Sequence, residues 1–129
     1  MKVLVEFVKG ILKKRKIIGI IEEITLENNR TYKSKIDTGA DYNSIDSELL
    51  EKLGEKKITG YKLIKSALGK QKRAFVDLEI TLAGETFTTP FSIADRSKLK
   101  YKILIGKNLM KSKEYLIDPT YEVIKRWIW

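Results

Sequence analysis

An all-β, barrel-like domain with one or two short helices is the fold this sequence predicts, on three observations. Short β-branched runs recur along the chain, with turn residues between them at regular spacing. One of them, Arg73 to Leu82, alternates Val76, Leu78, Ile80 and Leu82 on a single face, as a half-buried strand requires. The chain of 129 residues has no cysteine, yet it is long enough to bury about two thirds of its unfolded surface in one core without disulfides. A single domain over residues 1–129 follows, with an N-terminal extension over 1–16 and a C-terminal tail over 121–129.

Met1 to Lys16 places Leu4, Phe7, Val8, Ile11 and Leu12 at helical spacing and ends in Lys13-Lys14-Arg15-Lys16, which suits an amphipathic surface segment. Glu6 and Lys9 interrupt it, and it lacks a signal-peptide cleavage site. No apolar run of membrane-spanning length occurs, so the expected location is cytoplasmic, with no membrane span. Ile17 to Leu26 reads as a strand and Glu27 to Arg30 as a turn. A second strand, Thr31 to Ile36, then delivers Asp37. A short helix is expected over Asp46 to Gly54, from the cap-like Asp46, the early Glu48 and the terminal glycine.

Thr59 to Leu68 and Arg73 to Leu82 read as the arms of a long hairpin around Gly69-Lys70-Gln71-Lys72. Ala83-Gly84-Glu85 turns into a strand from Thr86 to Ala94, where Pro90 implies an edge or a bulge. Tyr101 to Ile105 reads as a buried strand and Gly106 as a close approach. A helical turn over Asn108 to Lys113 and a last strand over Tyr115 to Ile117 complete the fold.

The chemistry concentrates in Lys35-Ile36-Asp37-Thr38-Gly39-Ala40-Asp41. A carboxylate sits at a strand end, where it is held rigidly. Thr38 adds a hydroxyl, and Gly39 allows a backbone approach that a Cβ would block. Other chemistries are excluded by composition: without histidine or cysteine there is no Ser-His or Cys-His nucleophile, no thiol and no usual zinc set. No Gly-x-x-x-x-Gly-Lys phosphate loop is present. No cofactor or metal is expected.

The net charge of +9 is arranged in blocks. Asp37 to Glu55 carries six acids against Lys52, Lys56 to Arg73 carries seven basic residues and no acid, and Ala74 to Asp95 carries four acids and no base.

The tetrapeptide Asp37-Thr38-Gly39-Ala40 resembles the active-site signature of the pepsin and retropepsin aspartic proteases. Asp37 to Ser44, with a second aspartate after the alanine, is similar to the retropepsin pattern, and Ile103-Leu104-Ile105-Gly106-Lys107-Asn108-Leu109-Met110 is similar to that fold's apolar-glycine segment and C-terminal helix. Ile18-Gly19, Glu22-Glu23, Asp95-Arg96 and Leu116-Ile117-Asp118-Pro119 add the order seen in one group. These are the retropepsin-like proteins labelled ATP-dependent zinc proteases, found with glutamate ligases that act on ribosomal proteins.

The resemblance implies a retropepsin-like acid-protease barrel and a symmetric homodimer, because one Asp-Thr-Gly supplies only half of a two-aspartate site. It implies Asp37 as the catalytic residue, Thr38 holding the two loops together across the axis, and Gly39 beside substrate backbone. Ala40 and Asp41 would bind substrate, Gly106 would pack beneath the loop, and Lys107 would pair with Asp41 in place of the usual arginine. The hairpin around Gly69 would be a flap over the cleft. The hydrophobic tail ending Trp127-Ile128-Trp129 would pack on the second subunit. The basic flap points to an acidic peptide substrate, and the group's ligase association to glutamylated peptides.

Two other readings compete with a homodimeric aspartic endopeptidase. One is a catalytically silent retropepsin-fold module that grips an acidic protein partner. The other, a nucleic-acid binder, rests only on charge and Tyr61, and the chain has no RNP, KH or zinc-finger pattern.

Overall fold

The computed structural model describes residues 15–66 and 69–121, together with Lys2 and Leu4. The expected amphipathic segment over 1–16 and the tail ending in Trp129 therefore fall, wholly or for the most part, outside the described residues. In chain order the elements are β1 (Ile17–Ile18), β2 (Ile21–Thr25), β3 (Thr31–Ile36), β4 (Asn43–Asp46), α1 (Ser47–Glu51), β5 (Ile58–Ser66), β6 (Gly69–Leu82), β7 (Glu85–Ala94), β8 (Ile103–Ile105), α2 (Lys107–Ser112) and β9 (Leu116–Ile117).

Strands pair in the order β2-β3-β8-β4-β7-β6, and β6 returns to β2 through Ile24↔Leu82 and Thr25↔Thr81, which closes the sheet into a barrel. β5 hangs on the outer side of β6. Because β6 pairs with β7 only from Phe75 onward, its first residues are held by β5 alone, and the β5–β6 hairpin projects from the barrel.

The barrel is filled by Ile24, Ile45, Leu78, Ile80, Leu82, Phe91, Ile103 and Ile105, all at 1% exposure or less. The period-two pattern read in Val76 to Leu82 holds: these four are buried while Asp77 and Glu79 face out. Burying each such side chain contributes roughly 1.5–3 kcal/mol against chain entropy.

Four local expectations are revised. The strand over Ile17 to Leu26 is broken after Ile18, because a Cβ at Gly19 would lie 2.0 Å from the Tyr121 carbonyl oxygen, and the Gly19 N–H donates to the buried Glu22 carboxylate at 2.7 Å. β1 pairs in parallel with β9 as a ribbon separate from the barrel. Asp46 occupies the N-cap position before Ser47, as expected, but its side chain makes no cap bond; its carboxylate accepts the Arg96 backbone N–H at 2.7 Å instead. Gly69-Lys70-Gln71-Lys72 is not a turn, since Gly69 pairs with Ser66 and Lys70, Gln71 and Lys72 are ordinary strand residues of β6.

Pro90 lies inside β7, not in an edge strand: β6 flanks it on one side, and β4 joins the other from Phe91. Its carbonyl accepts from the Asn43 side chain at 3.0 Å. N and C=O of a strand residue project to the same side, so the missing N–H lies toward β4 and not in the β6 ladder.

Candidate active site

β3 and β8 run parallel with Ile36 opposite Ile105, and the Asp37 N–H continues this ladder by donating to the Ile105 carbonyl at 2.9 Å. The backbone then leaves the sheet. Asp37 Oδ1 accepts the Gly39 N–H at 2.9 Å, and the Asp37 carbonyl accepts the Ala40 N–H at 3.2 Å, so the carboxylate is fixed by its own turn. A Cβ on Gly39 would approach Asp37 Oδ1 to 3.1 Å, so the glycine gives the carboxylate room. Asp37 is half-buried, with Lys35 Nζ 4.0 Å from its Oδ2, while Thr38 and Gly39 are exposed at the tip.

The Gly106-Lys107-Asn108 segment holds this loop from below. Lys107 N–H donates to Ala40 O at 2.7 Å and Asn108 N–H to Asp41 O at 3.0 Å. Lys107 Nζ and Asp41 Oδ1 stand 3.0 Å apart, the ion pair expected from the resemblance. Gly106 is a true close approach: a Cβ there would lie 2.6 Å from the Tyr42 carbonyl carbon and oxygen.

Asn43, to which the sequence reading assigned no role, ties three elements together. Its Oδ1 accepts the Gly106 N–H at 3.0 Å, while its Nδ2 donates to Pro90 O at 3.0 Å and Thr89 Oγ1 at 3.3 Å.

The projecting hairpin brings Leu63, Ile64 and Lys65 over Gly39, Ala40 and Asp41, and they enclose a cavity of about 460 Å³. A second cavity of about 420 Å³ lies between Tyr42, Phe75, Tyr61 and Leu109. Its wall is braced by the Tyr42 and Phe75 rings, 5.2 Å apart edge to face, with Lys62 Nζ 4.6 Å from the Tyr42 ring centre. Gly69 lines neither cavity; it is exposed at φ +116°, where a side chain would be strained.

Arg96, Arg73, Ser44 and Ser92 also line the larger cavity. Arg96 is 9% exposed and pinned at three points: its N–H by Asp46, its Nε by Tyr101 O at 2.9 Å, and its carbonyl by Lys102 Nζ at 2.9 Å. Burial and the neighbouring Arg73 charge draw its guanidinium below the ordinary arginine range, against the pull of Asp46 and Asp37.

Among the described residues, no group of three or more His, Cys, Asp and Glu side chains could hold a metal ion. The zinc of the group's label therefore has no fitting donor set here. No helix among the described residues is long and apolar enough to cross a membrane.

No curated protein matches the chain. Solved structures similar in fold include the following two. The Legionella pneumophila protein Lpg0085, of unknown function, has 21% identity and a TM-score of 0.62 over 84% of this chain and 96% of that one. The EIAV protease complexed with the inhibitor HBY-793 has 17% identity and a TM-score of 0.62 over 83% of this chain and 95% of that one. The barrel is thus retropepsin-like. Residues 47–126 match the family described as retropepsin-like aspartic endopeptidase RimB. This match begins after the Asp37 loop, so loop and family are separate observations that agree, and the chain belongs to the RimB-like family of retropepsin-like proteins.

Proposed function

We propose that this chain is a homodimeric aspartic endopeptidase in which Asp37 of each subunit meets its counterpart on the two-fold axis. The observation that carries the reading is the Asp37 turn: a carboxylate at the end of a half-buried strand, fixed by the Gly39 N–H and flanked by an exposed Thr38. Two such carboxylates about 3 Å apart share one proton, because both cannot ionise at that distance. Their titration belongs to the pair.

The ionised member takes a proton from a water, whose oxygen adds to the scissile carbonyl carbon. The protonated member gives its proton to the carbonyl oxygen, and a tetrahedral diol forms. Proton transfer to the amide nitrogen then breaks the C–N bond, releases acid and amine, and returns the shared proton. Thr38 links the two loops, Gly39, Ala40 and Asp41 receive substrate main chain, Gly106 and Lys107 support them, and the hairpin that ends at Gly69 closes over the cleft.

Its basic residues favour acidic or glutamylated peptides, which would connect the protein to a glutamate ligase in the cytoplasm. Nucleic acid is not the partner in this reading. A second reading, a silent module for an acidic protein, draws on the start of the family match at residue 47, downstream of Asp37.

Sedimentation and a peptide assay test the proposal together. A dimer that cleaves acidic peptides, with turnover abolished in a folded Asp37→Asn variant, is the expected result. A monomer at every concentration, or turnover that survives Asp37→Asn, would overturn it.

A further inference from the structure

Tyr42 lines both cavities, yet the two differ in chemistry. The cavity beside the Asp37 loop carries Lys65, Arg73, Arg96 and Asp41 on its wall. In the groove at the base of the hairpin, about 420 Å³, Lys62 is the single charged lining residue among those described. Its ammonium already lies 4.6 Å from the Tyr42 ring centre and 5.6 Å from that of Phe75. Phe75, Pro90 and Leu109 supply apolar wall, so this groove selects by shape and apolar surface, and it has the size of a ligand site.

Gly60, in the wall of this groove, is a second and independent sign of an occupant. It stands opposite Phe75 in the β5–β6 ladder, so its side-chain position falls on the face that carries Phe75 and Lys62. No described residue demands a glycine there: its φ lies outside the left-handed region, and a Cβ would meet no atom within 4 Å. The register shift between Ile58 and Gly60 is a bulge, but at ordinary φ a bulge accepts other residues. A glycine in a strand loses order and packing, and one that neither φ nor crowding explains fits a place where another molecule comes close.

Continuity with the cleft decides the occupant. Gly39 to Asp41, which receive substrate main chain in the endopeptidase reading, lead directly into Tyr42 and Asn43, which line the groove. Asn108 joins the two places as well: its N–H donates to Asp41 O at 3.0 Å, and the residue lines the groove with an exposed amide. We infer that the groove is an exosite that seats a bulky apolar side chain of the bound peptide, away from the scissile bond. The inference rests on the endopeptidase reading for the course of the peptide, but not for apolar binding itself.

The test is fluorescence anisotropy with the full chain carrying Asp37→Asn, so that hydrolysis does not intervene. The probes are labelled glutamate-alanine decapeptides in which one residue, moved from position to position, is either phenylalanine or alanine. At one position, or at two that share a face of the peptide, phenylalanine is expected to bind at least about tenfold tighter than alanine, as burial of an aromatic side chain requires. Gly60→Leu, which fills the groove from open space, should reduce that preference to less than about twofold without lowering the melting temperature. Gly60→Ala makes the same backbone change but leaves the groove open, and should keep most of the preference. A measurement on the chain without a Gly60 substitution stands beside these: N-acetylphenylalaninamide at millimolar concentration should shift the amide resonances of Gly60, Lys62 and Leu109 and compete with the phenylalanine peptide alone.

Equal affinity of the phenylalanine and alanine peptides at every position, or resonances that do not move, overturns the exosite. Equal loss in Gly60→Ala and Gly60→Leu does so too, since the glycine would then act through the bulge. A Gly60→Leu variant that changes sedimentation but not peptide affinity assigns the groove to a second copy of the chain and overturns the inference as well. Failure of the endopeptidase reading looks different: a Gly60→Leu-sensitive preference for phenylalanine with no cleavage by the wild-type chain keeps the exosite and removes the enzyme. Cleavage that is indifferent to phenylalanine at every position does the reverse.

Discussion

Lys107 Nζ lies 3.0 Å from Asp41 Oδ1, yet the residue's stronger hold on the loop is through its backbone, whose N–H donates to Ala40 O at 2.7 Å. Both side chains are well exposed, at 42% and 62%, so water screens the pair. Lys107→Ala is expected to change stability by less than about 1 kcal/mol in chemical denaturation, because the backbone contact survives. Lys107→Arg should be at least as stable, since a guanidinium can meet the carboxylate with two hydrogen bonds.

Gly106 supports the loop by shape, and its replacement should be far more damaging. A Cβ 2.6 Å from the Tyr42 backbone cannot be accommodated by a side-chain rotation, so β4 and α2 must separate. Gly106→Ala is expected to cost about 3 kcal/mol, read as a lowered denaturant midpoint. Asn43→Ala should cost about 2–4 kcal/mol, since it leaves the buried Gly106 N–H without its acceptor and frees the Thr89 and Pro90 contacts. A loss below about 1 kcal/mol in either variant would contradict this packing.

These two residues also mark the limit of what sequence alone could reveal. Asp37-Thr38-Gly39 and Ile105-Gly106 were legible because their roles are local: a strand end, a tight turn and a missing side chain each leave a residue-type signature. Asn43-Ser44-Ile45-Asp46 was not, since Asn, Ser and Asp are poor strand formers, and β4 exists because β7 and β8 flank it on both sides. Arg96 was visible only as part of the Asp95-Arg96 pair, with no role attached; it is placed by Asp46, Tyr101 and Lys102, contacts that only the folded chain brings together. The hairpin turn was misplaced because Lys70, Gln71 and Lys72 look like loop residues but pair with Lys65, Ile64 and Leu63 in a ladder outside the core.

The base of that hairpin is anchored by an acid, which makes its stability depend on pH. Glu27 accepts from Lys56 Nζ and from the Glu79 N–H at 3.0 Å, which joins the β2–β3 turn to the segment before β5 and to β6. Partial burial pushes the Glu27 carboxyl up, but Lys56 and the Glu79 N–H together draw it further down, below its ordinary value of 4.5. A carboxyl depressed in the folded state stabilises the fold above its unfolded value and loses that contribution as pH falls through the folded value. Glu27→Gln is expected to lower stability by about 1 kcal/mol at neutral pH. Thermal melts of the two proteins should converge as pH is lowered below 4.5. A constant difference across that range would show that the charge is not what Glu27 contributes.

At the opposite end of the pH scale the sensitive group is Tyr115. It is 9% exposed, its hydroxyl has no hydrogen-bond partner, and burial, with Glu85 and Glu22 nearby, pushes its phenol up to about 12. The unfolded chain releases this proton near 10 while the folded chain keeps it, so stability should fall as pH rises from 10 to about 12. The integrated loss is on the order of 2–3 kcal/mol. In a phenolate absorbance titration the ionisation of Tyr115 should coincide with unfolding. Tyr115→Phe removes both the titration and the unpartnered hydroxyl. That variant is expected to gain about 1 kcal/mol at neutral pH and to resist alkali better than the wild type. If it is less stable at neutral pH, the hydroxyl has a partner in solution, and the alkaline loss must come from another group.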